Sequence, residues 1–457
     1  MPKFAKLIFK ICGAVVLIGA AGLLLANLYL QSEGVQTRIR EAAAKALGAP
    51  MVIQGTSFTP WSGLVLHGIS VADPGRADRN LLEAKSLNLH IAALPLLSGR
   101  LVISQVTLSN PTVIARQTKD RQWAVLVPPP PQADIPVTVP NTATTDVEKT
   151  RSGRTMKVTV ERIRVHGLTA VFVDAKGRTI FRAENGRGEA VLGEGGGSSG
   201  SFLIPRMEIA RGLKPKDFGG PFTWDGRVLE MPGLGGTLAG GTITGKYRLD
   251  VGEVSAFSLE MGVAEARLKK IVGDMGGNSE NAAGLVNASI KLSGDPGDAG
   301  SIVGEAVVDM VGARFTPVDF IAQLGQLLGV EELQVLNLSE ATSRFLIREG
   351  RVDVETVRLQ SENLILAGTG TAGFDGEIDI DGRLMMNRKL QKQLGALIGK
   401  NFKDSDNPEY KQVAFEVTNT IADPRTDLLD KLIGIRVGDD VGGLLRNLFR
   451  VPGSKDD

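Results

Sequence analysis

The chain has 457 residues, with 52 Lys and Arg set against 51 Asp and Glu for a net charge of +1. That balance gives no electrostatic case for nucleic acid or a strongly acidic partner, and 5% aromatic content is low for a surface built on stacking. The single cysteine, Cys12, leaves the rest of the chain without a disulfide framework or a multi-cysteine metal site.

Residues 1–6 carry Lys3 and Lys6 and lead into an apolar run at 7–30, LIFKICGAVVLIGAAGLLLANLYL, whose one charge is Lys10. About 20 residues of helix span a bilayer core of roughly 30 Å. The run is therefore expected to be a single uncleaved membrane span. The lysines on its N-terminal side place the N-terminus in the cytoplasm and the body outside. Residues 31–48 hold helix formers stopped by Gly48 and Pro50.

Strand signals begin at residue 49 and continue to 127. The stretch 128–155 opens PPPPQADIPVTVPNTATTD, has no sustained apolar face, and reads as a linker or long loop. A central β region is expected over 156–260, with the Gly/Ser-rich 193–201 as a flexible turn. A further β module with helices is expected over 261–425, and an amphipathic helix and tail over 426–457. Apolar residues at every second position define strand faces in these regions. The faces hold Ile243, Tyr247 and Leu249; Phe257, Leu259 and Met261; Ile290 and Leu292; Ile378, Ile380 and Leu384; and Phe415 and Val417. Helical spacing is expected instead at 317–336, 385–402 and 426–449, as covers over an apolar sheet face.

A loose repeat links ISQVTLSNPTVIARQ, from Ile103, with VERIRVHGLTAVFVD, from Val160. Each reads as strand, turn, strand, with turns at Asn110-Pro111 and His166-Gly167. TSRFLIREGRVDVETVRL, from Thr342, is a weaker third copy with its turn at Glu349-Gly350. Stacked hairpin units imply an elongated structure.

Catalytic signals are weak. GGSSG at 196–200 fits G-x-S-x-G around Ser198, but Pro205 stands where a helix should follow. Glu377, Asp379 and Asp381 suggest a calcium loop, yet position twelve is Arg388 and the intervening isoleucines fit a strand. The glycines from Gly233 read as a hairpin with a Gly-Gly turn. His67, His90 and His166 lack ligand spacing. No enzyme activity, metal or cofactor is expected.

The order of motifs resembles the AsmA family of diderm bacteria, including its TamB-like relatives. The opening resemblance lies in the apolar run, the short helix, and then LLEAKSLNLHIAALPLLSGRLVISQVTLSNPTVIARQTKDRQW ending at Trp123. A second stretch of resemblance holds NAAGLVNASIKLSGDPGD, FLIREGRVDVETVRLQSENLILAGTGTAGFDGEIDIDGRL and IADPRTDLL, with Asn419-Thr420-Ile421 where the family usually has a Gly before "DP". The resemblance implies a bacterial inner-membrane protein facing the periplasm. It further implies a mainly β body, an elongated, curled antiparallel sheet forming a groove with an apolar floor and a few covering helices. Phospholipids are the implied ligand and lipid transport in outer-membrane biogenesis the implied role, with the alternating residues named above as candidate lipid contacts. The alternative is a scaffold or assembly factor for outer-membrane or secretion-system proteins that carries no lipid.

Overall fold

The computed structural model describes residues 51–59, 63–73, 76–91, 101–117, 123–124, 158–193, 196–209, 212–316, 325–326, 330–374, 376–392, 400–420 and 423–433. The expected membrane span, the helix at 31–48 and the linker at 128–155 lie outside them. Among the described residues no helix is long and apolar enough to cross a membrane. Strands make up 72% of the described residues. The chain divides into two compact units, Met1–Gly226 and Arg227–Asp457. That boundary falls inside the stretch 156–260 that the sequence reads as one region.

The first unit contains β1 (Met51–Thr59), β2 (Gly63–Asp73), β3 (Arg76–Ile91), β4 (Leu101–Ser109), β5 (Thr112–Gln117), β6 (Trp123–Ala124), β7 (Val158–Val160), β8 (Arg162–Val173), β9 (Thr179–Leu192), β10 (Ser198–Ile209) and β11 (Lys216–Trp224). Strands β1, β2 and β3 pair in order, β3 pairs with both β4 and β5, and β8 to β11 pair in order. Here the sheet departs from the antiparallel expectation. β8 runs parallel to β4 and β5, and β7 parallel to β4. The two repeat copies lie side by side in constant register, Val106 opposite Ile163 and Thr112 opposite Thr169. Parallel neighbours need a crossover of a dozen residues or more, and the chain between β6 and β7 supplies one.

Asn110-Pro111 and His166-Gly167 are therefore not hairpin turns. Each is a kink within one long line of strand. The kinks sit against each other: Asn110 N–H donates to the His166 carbonyl at 2.7 Å, and Thr169 N–H to the Pro111 carbonyl at 2.8 Å. Gly167 has φ +71, and a Cβ there would lie 2.1 Å from Asn110 Oδ1, so any side chain would be strained and would displace the Asn110 amide. Similar interruptions occur in the neighbours, with Gly68 at φ 59 and Asn185 at φ 57. The interruptions align into a crease across the sheet. On β2, Leu64 and Leu66 below the crease and Ile69 and Val71 above it belong to one core with Met51, Ile53, Ala84, Leu87 and Leu108. An inserted residue switches the period-two phase and keeps both halves of a strand apolar on one side.

The 193–201 stretch also departs from expectation. Ser198–Ser201 belong to β10 and pair on both sides, with β9 and β11. Those backbone bonds fix a segment whose composition alone suggests a turn.

The second unit is an antiparallel meander of β12 (Val228–Leu238), β13 (Gly241–Asp250), β14 (Ala256–Arg267), β15 (Ala283–Gly294), β16 (Val303–Phe315), β17 (Leu336–Asn337), β18 (Glu340–Arg348), β19 (Arg351–Gln360), β20 (Leu364–Gly373), β21 (Glu377–Asn387), β22 (Lys403–Asp404), β23 (Tyr410–Thr420) and β24 (Asp423–Thr426). Its described α-helices include α1 (Leu268–Asp274), α2 (Glu331–Gln334), α3 (Arg388–Gln391) and α4 (Leu428–Ile433). Two-residue hairpins join β12 to β13 through Ala239-Gly240 and β18 to β19 through Glu349-Gly350, all four residues at positive φ. These are type I′ geometries, whose twist matches the strands they join. The first turn is thus centred one residue before the expected Gly-Gly pair.

Much of the expected helices at 317–336, 385–402 and 426–449 lies outside the described residues. Leu336 belongs to strand β17, and Met385 and Met386 close β21 before α3 begins. Each of α1, α2 and α3 buries a single leucine. Leu268, Leu333, Leu390, Leu428 and Leu432 all enter one core with strand residues Ala266, Val286, Leu364, Leu384 and Val413.

Candidate functional site: an apolar sheet face

Cross-strand register builds the site in the second unit. One row runs Tyr247, Leu259, Leu292, Gly304, Ile347, Val352, Ala372, Ile378 across β13 to β21. The next runs Met261, Ile290, Ala306, Phe345, Val354, Gly370, Ile380, Val417. A third runs Ile243, Val263, Ala288, Val308, Ser343, Val357, Gly368, Gly382, Phe415, and Ser343 is its one polar member. The fourth runs Ala266, Val286, Met310, Ala341, Leu359, Leu366, Leu384, Val413. Bulges at Ala264-Glu265 and at Glu355-Thr356 let Val263 with Ala266, and Val354 with Val357, share this side. Four rows set two residues apart cover about 20 Å along the strands, and the strands from β13 to β23 about 40 Å across.

The sequence-named residues all fall on this face, and burial separates them. Leu384 is 1% exposed and packed in the helix-covered core. Phe415 is buried in the same core, and Ile243 is buried on β13. Tyr247, Leu259, Met261, Ile290, Leu292, Ile378, Ile380 and Val417 are half-buried, as are Leu249 and Phe257, a pair at the far end of β13 and β14. Tyr247 and Phe257 stack with ring centroids 6.4 Å apart, and burial raises the Tyr247 phenol above its ordinary value of 10.0.

The two margins of the face differ. The connections carrying α1, α2 and α3 and the residues of α4 meet the margin of the fourth row. There Asn387 Nδ2 donates to Asn363 Oδ1 at 2.8 Å and Asn363 Nδ2 donates to Glu332 Oε1 at 2.6 Å, tying α2 to the strand ends. Asn387 Oδ1 accepts from Leu390 N–H and caps α3. The opposite margin carries turns and charges, among them Arg227 on Asp250 at 2.7 Å and Arg351 on Asp353 at 3.2 Å. The reverse face is wet. Lys246, Glu260, Lys291 and Glu305 stand opposite one another in sequence, with Lys246–Glu260 and Lys291–Glu305 both at 3.0 Å. Glu305 holds the Lys291 ammonium above its ordinary pKa.

Sequence reading missed two parts. Phe345 and Val354 complete the second row, and their alternation within RFLIREGRVDV was available as a signal. The first unit has a comparable face, with Phe58, Leu64, Leu89, Val106, Ile163, Ala190, Gly200 and Phe222 in one row. No local pattern reveals it, because the row passes through a parallel pairing.

Ser198, of the formal G-x-S-x-G match, is a strand residue opposite Leu192 and Trp224. Asp379 and Asp381 lie on β21 between the inward Ile378, Ile380 and Gly382, as a strand requires. Among the described residues no group of three or more His, Cys, Asp or Glu is placed to hold a metal ion.

Fold and site thus define a mainly β protein whose distinctive surface is an extended apolar sheet face, wet on its reverse and helix-bounded along one margin. Residues 1–167 match the model of the AsmA family, the family that the opening motifs resemble. No curated protein matches the chain. No solved structure matches it either.

Proposed function

We propose that this is an inner-membrane-anchored periplasmic protein that binds phospholipid acyl chains on its apolar sheet faces and supports lipid transport in outer-membrane biogenesis. The span at 7–30 is the anchor and the body stands outside the inner membrane. The observation that carries the reading is the set of half-buried apolar rows beside a charged margin in the second unit. Moving hydrocarbon into water costs about 0.8 kcal/mol per CH₂, and such rows offset that cost while a headgroup stays hydrated. The match of residues 1–167 to the AsmA family supports the same reading.

Photo-crosslinking in cells tests it. With a benzophenone amino acid replacing Leu259 or Leu292 in the full-length chain, phospholipid adducts are expected. Replacing Lys291 or Ser293, next to Leu292 on the same strand, should give none. Equal labelling of both faces overturns the reading. Protein adducts in place of lipid at Leu259 and Leu292 favour the scaffold alternative.

A further inference from the structure

The second unit contains a recess of about 300 Å³ set into its apolar face. Its floor is the backbone of Gly368, which stands opposite Gly382 in the third row. Phe345, Val354, Ile380, Phe415 and Val417 rise around it, and Phe315 and Leu336 close it toward the helix-bounded margin. The Phe415 ring lies directly over Gly382, where a Cβ would come within 2.3 Å of Cζ.

We infer that this recess seats the methyl end of one phospholipid acyl chain, with the chain lying along the strands and the headgroup at the charged margin. The inference rests on the lipid-binding reading and adds to it a place and a direction. Three observations carry it. The side chains around the recess are apolar, so its occupant buries no group that needs a hydrogen bond; a peptide would bring unpaired backbone amides with it. Toward the helix-bounded margin the recess ends on Phe315 and on Leu336, which is 1% exposed and belongs to the core that buries Leu333, Leu428 and Leu432, so a chain that enters stops there. The other margin presents Arg348, Arg351 and Asp353, where a zwitterionic or anionic headgroup stays in a charged, hydrated setting. An occupant with one apolar and one charged end fits this polarity in one direction.

The test uses the full-length chain loaded from vesicles of phosphatidylethanolamine and phosphatidylglycerol carrying a diazirine at either the acyl terminus or beside the ester. Labelled residues are read by mass spectrometry. The terminal probe is expected on Phe345, Phe415 or Leu336 and the ester-side probe nearer the charged margin. Gly368→Leu fills the recess at little strain, since a Cβ at Gly368 meets Ile380 Cγ2 at 3.4 Å, ordinary contact. Displacing about two methylenes lowers terminal labelling of these residues about tenfold. Val417→Trp fills the recess from the wall and should act alike, whereas Thr369→Leu, on the wet face, should leave labelling unchanged. Terminal labels spread evenly along the rows, or unmoved by both filling variants, overturn the recess while lipid binding stands. No labelling of the face by either probe overturns the lipid reading with it.

Discussion

Single side chains in this protein act by shape and by ion pairing. Gly382 is the sharpest case of shape. Gly382→Ala forces the Phe415 ring out of its place, and overpacking of this kind costs about 1–3 kcal/mol, which urea denaturation of the second unit would register. Leu333 is fully buried at the helix-bounded margin, so Leu333→Ala should cost about 2–5 kcal/mol. A loss below that range would mean that α2 contributes little to the core. Ion pairing on the wet faces gives a pH dependence with a definite sign. Glu189 is held below its ordinary value of 4.5, first by the hydrogen bond from Arg164 and then by the charges of Arg164 and Arg162. A depressed carboxylate adds stability above the unfolded value and loses it as pH falls through the folded one. Glu189→Gln should therefore lower the denaturation midpoint at neutral pH and leave it unchanged well below pH ~4. An equal loss at both pH values would point to packing instead of charge.

Strands are where sequence reading succeeds and fails for identifiable reasons. Period two placed Ile243 to Leu249, Phe257 to Met261 and Ile378 to Leu384 on one side correctly, because hairpin-linked antiparallel strands keep their neighbours local. Glu349-Gly350 was legible as a turn for the same reason. Asn110-Pro111 and His166-Gly167 carry similar turn chemistry but serve as kinks, since positive φ and a missing N–H suit a bulge as well as a turn. Which use prevails depends on whether a neighbouring strand continues past the signal, and β3 and β9 both do. The crease makes a further claim. Deleting Gly167 takes the inserted residue out of β8 alone. Held against neighbours β5 and β9 that keep the crease, the strand after it should slip one place, which turns Ala170 and Phe172 toward the wet side. Loss of cooperative unfolding in that deletion is expected. By contrast Gly350→Ala, where nothing lies within 4 Å of the added Cβ, should cost only about 1 kcal/mol from its positive φ. A deletion as mild as that substitution would show that the crease does not set the phase.

For the molecule as a whole, the apolar faces were legible as separate strands and not as continuous surfaces. Continuity is a property of register, and register in the first unit depends on strands distant in sequence. A functional consequence belongs at this scale. Leu292→Asp sets a charge into the row between Leu259 and Gly304 and should block phospholipid transfer between vesicles while circular dichroism stays native. The neighbouring Ser293→Asp, facing water, should transfer normally. Transfer that survives Leu292→Asp removes β15 from the path. The parallel alignment of the two repeat copies also bears on how the chain reaches its native state. In the second unit nearly every strand bonds to one that immediately precedes or follows it, so each step closes a short loop. In the first, β8 gains no hydrogen bonds to β4 or β5 until the ends of the chain between β6 and β7 meet, and that search is entropically slow. Refolding should then proceed in two stages. Pulsed hydrogen exchange would find the β13–β15 amides protected first and those of β8 that face β4 and β5 last, so one long closure in the first unit sets the pace of maturation.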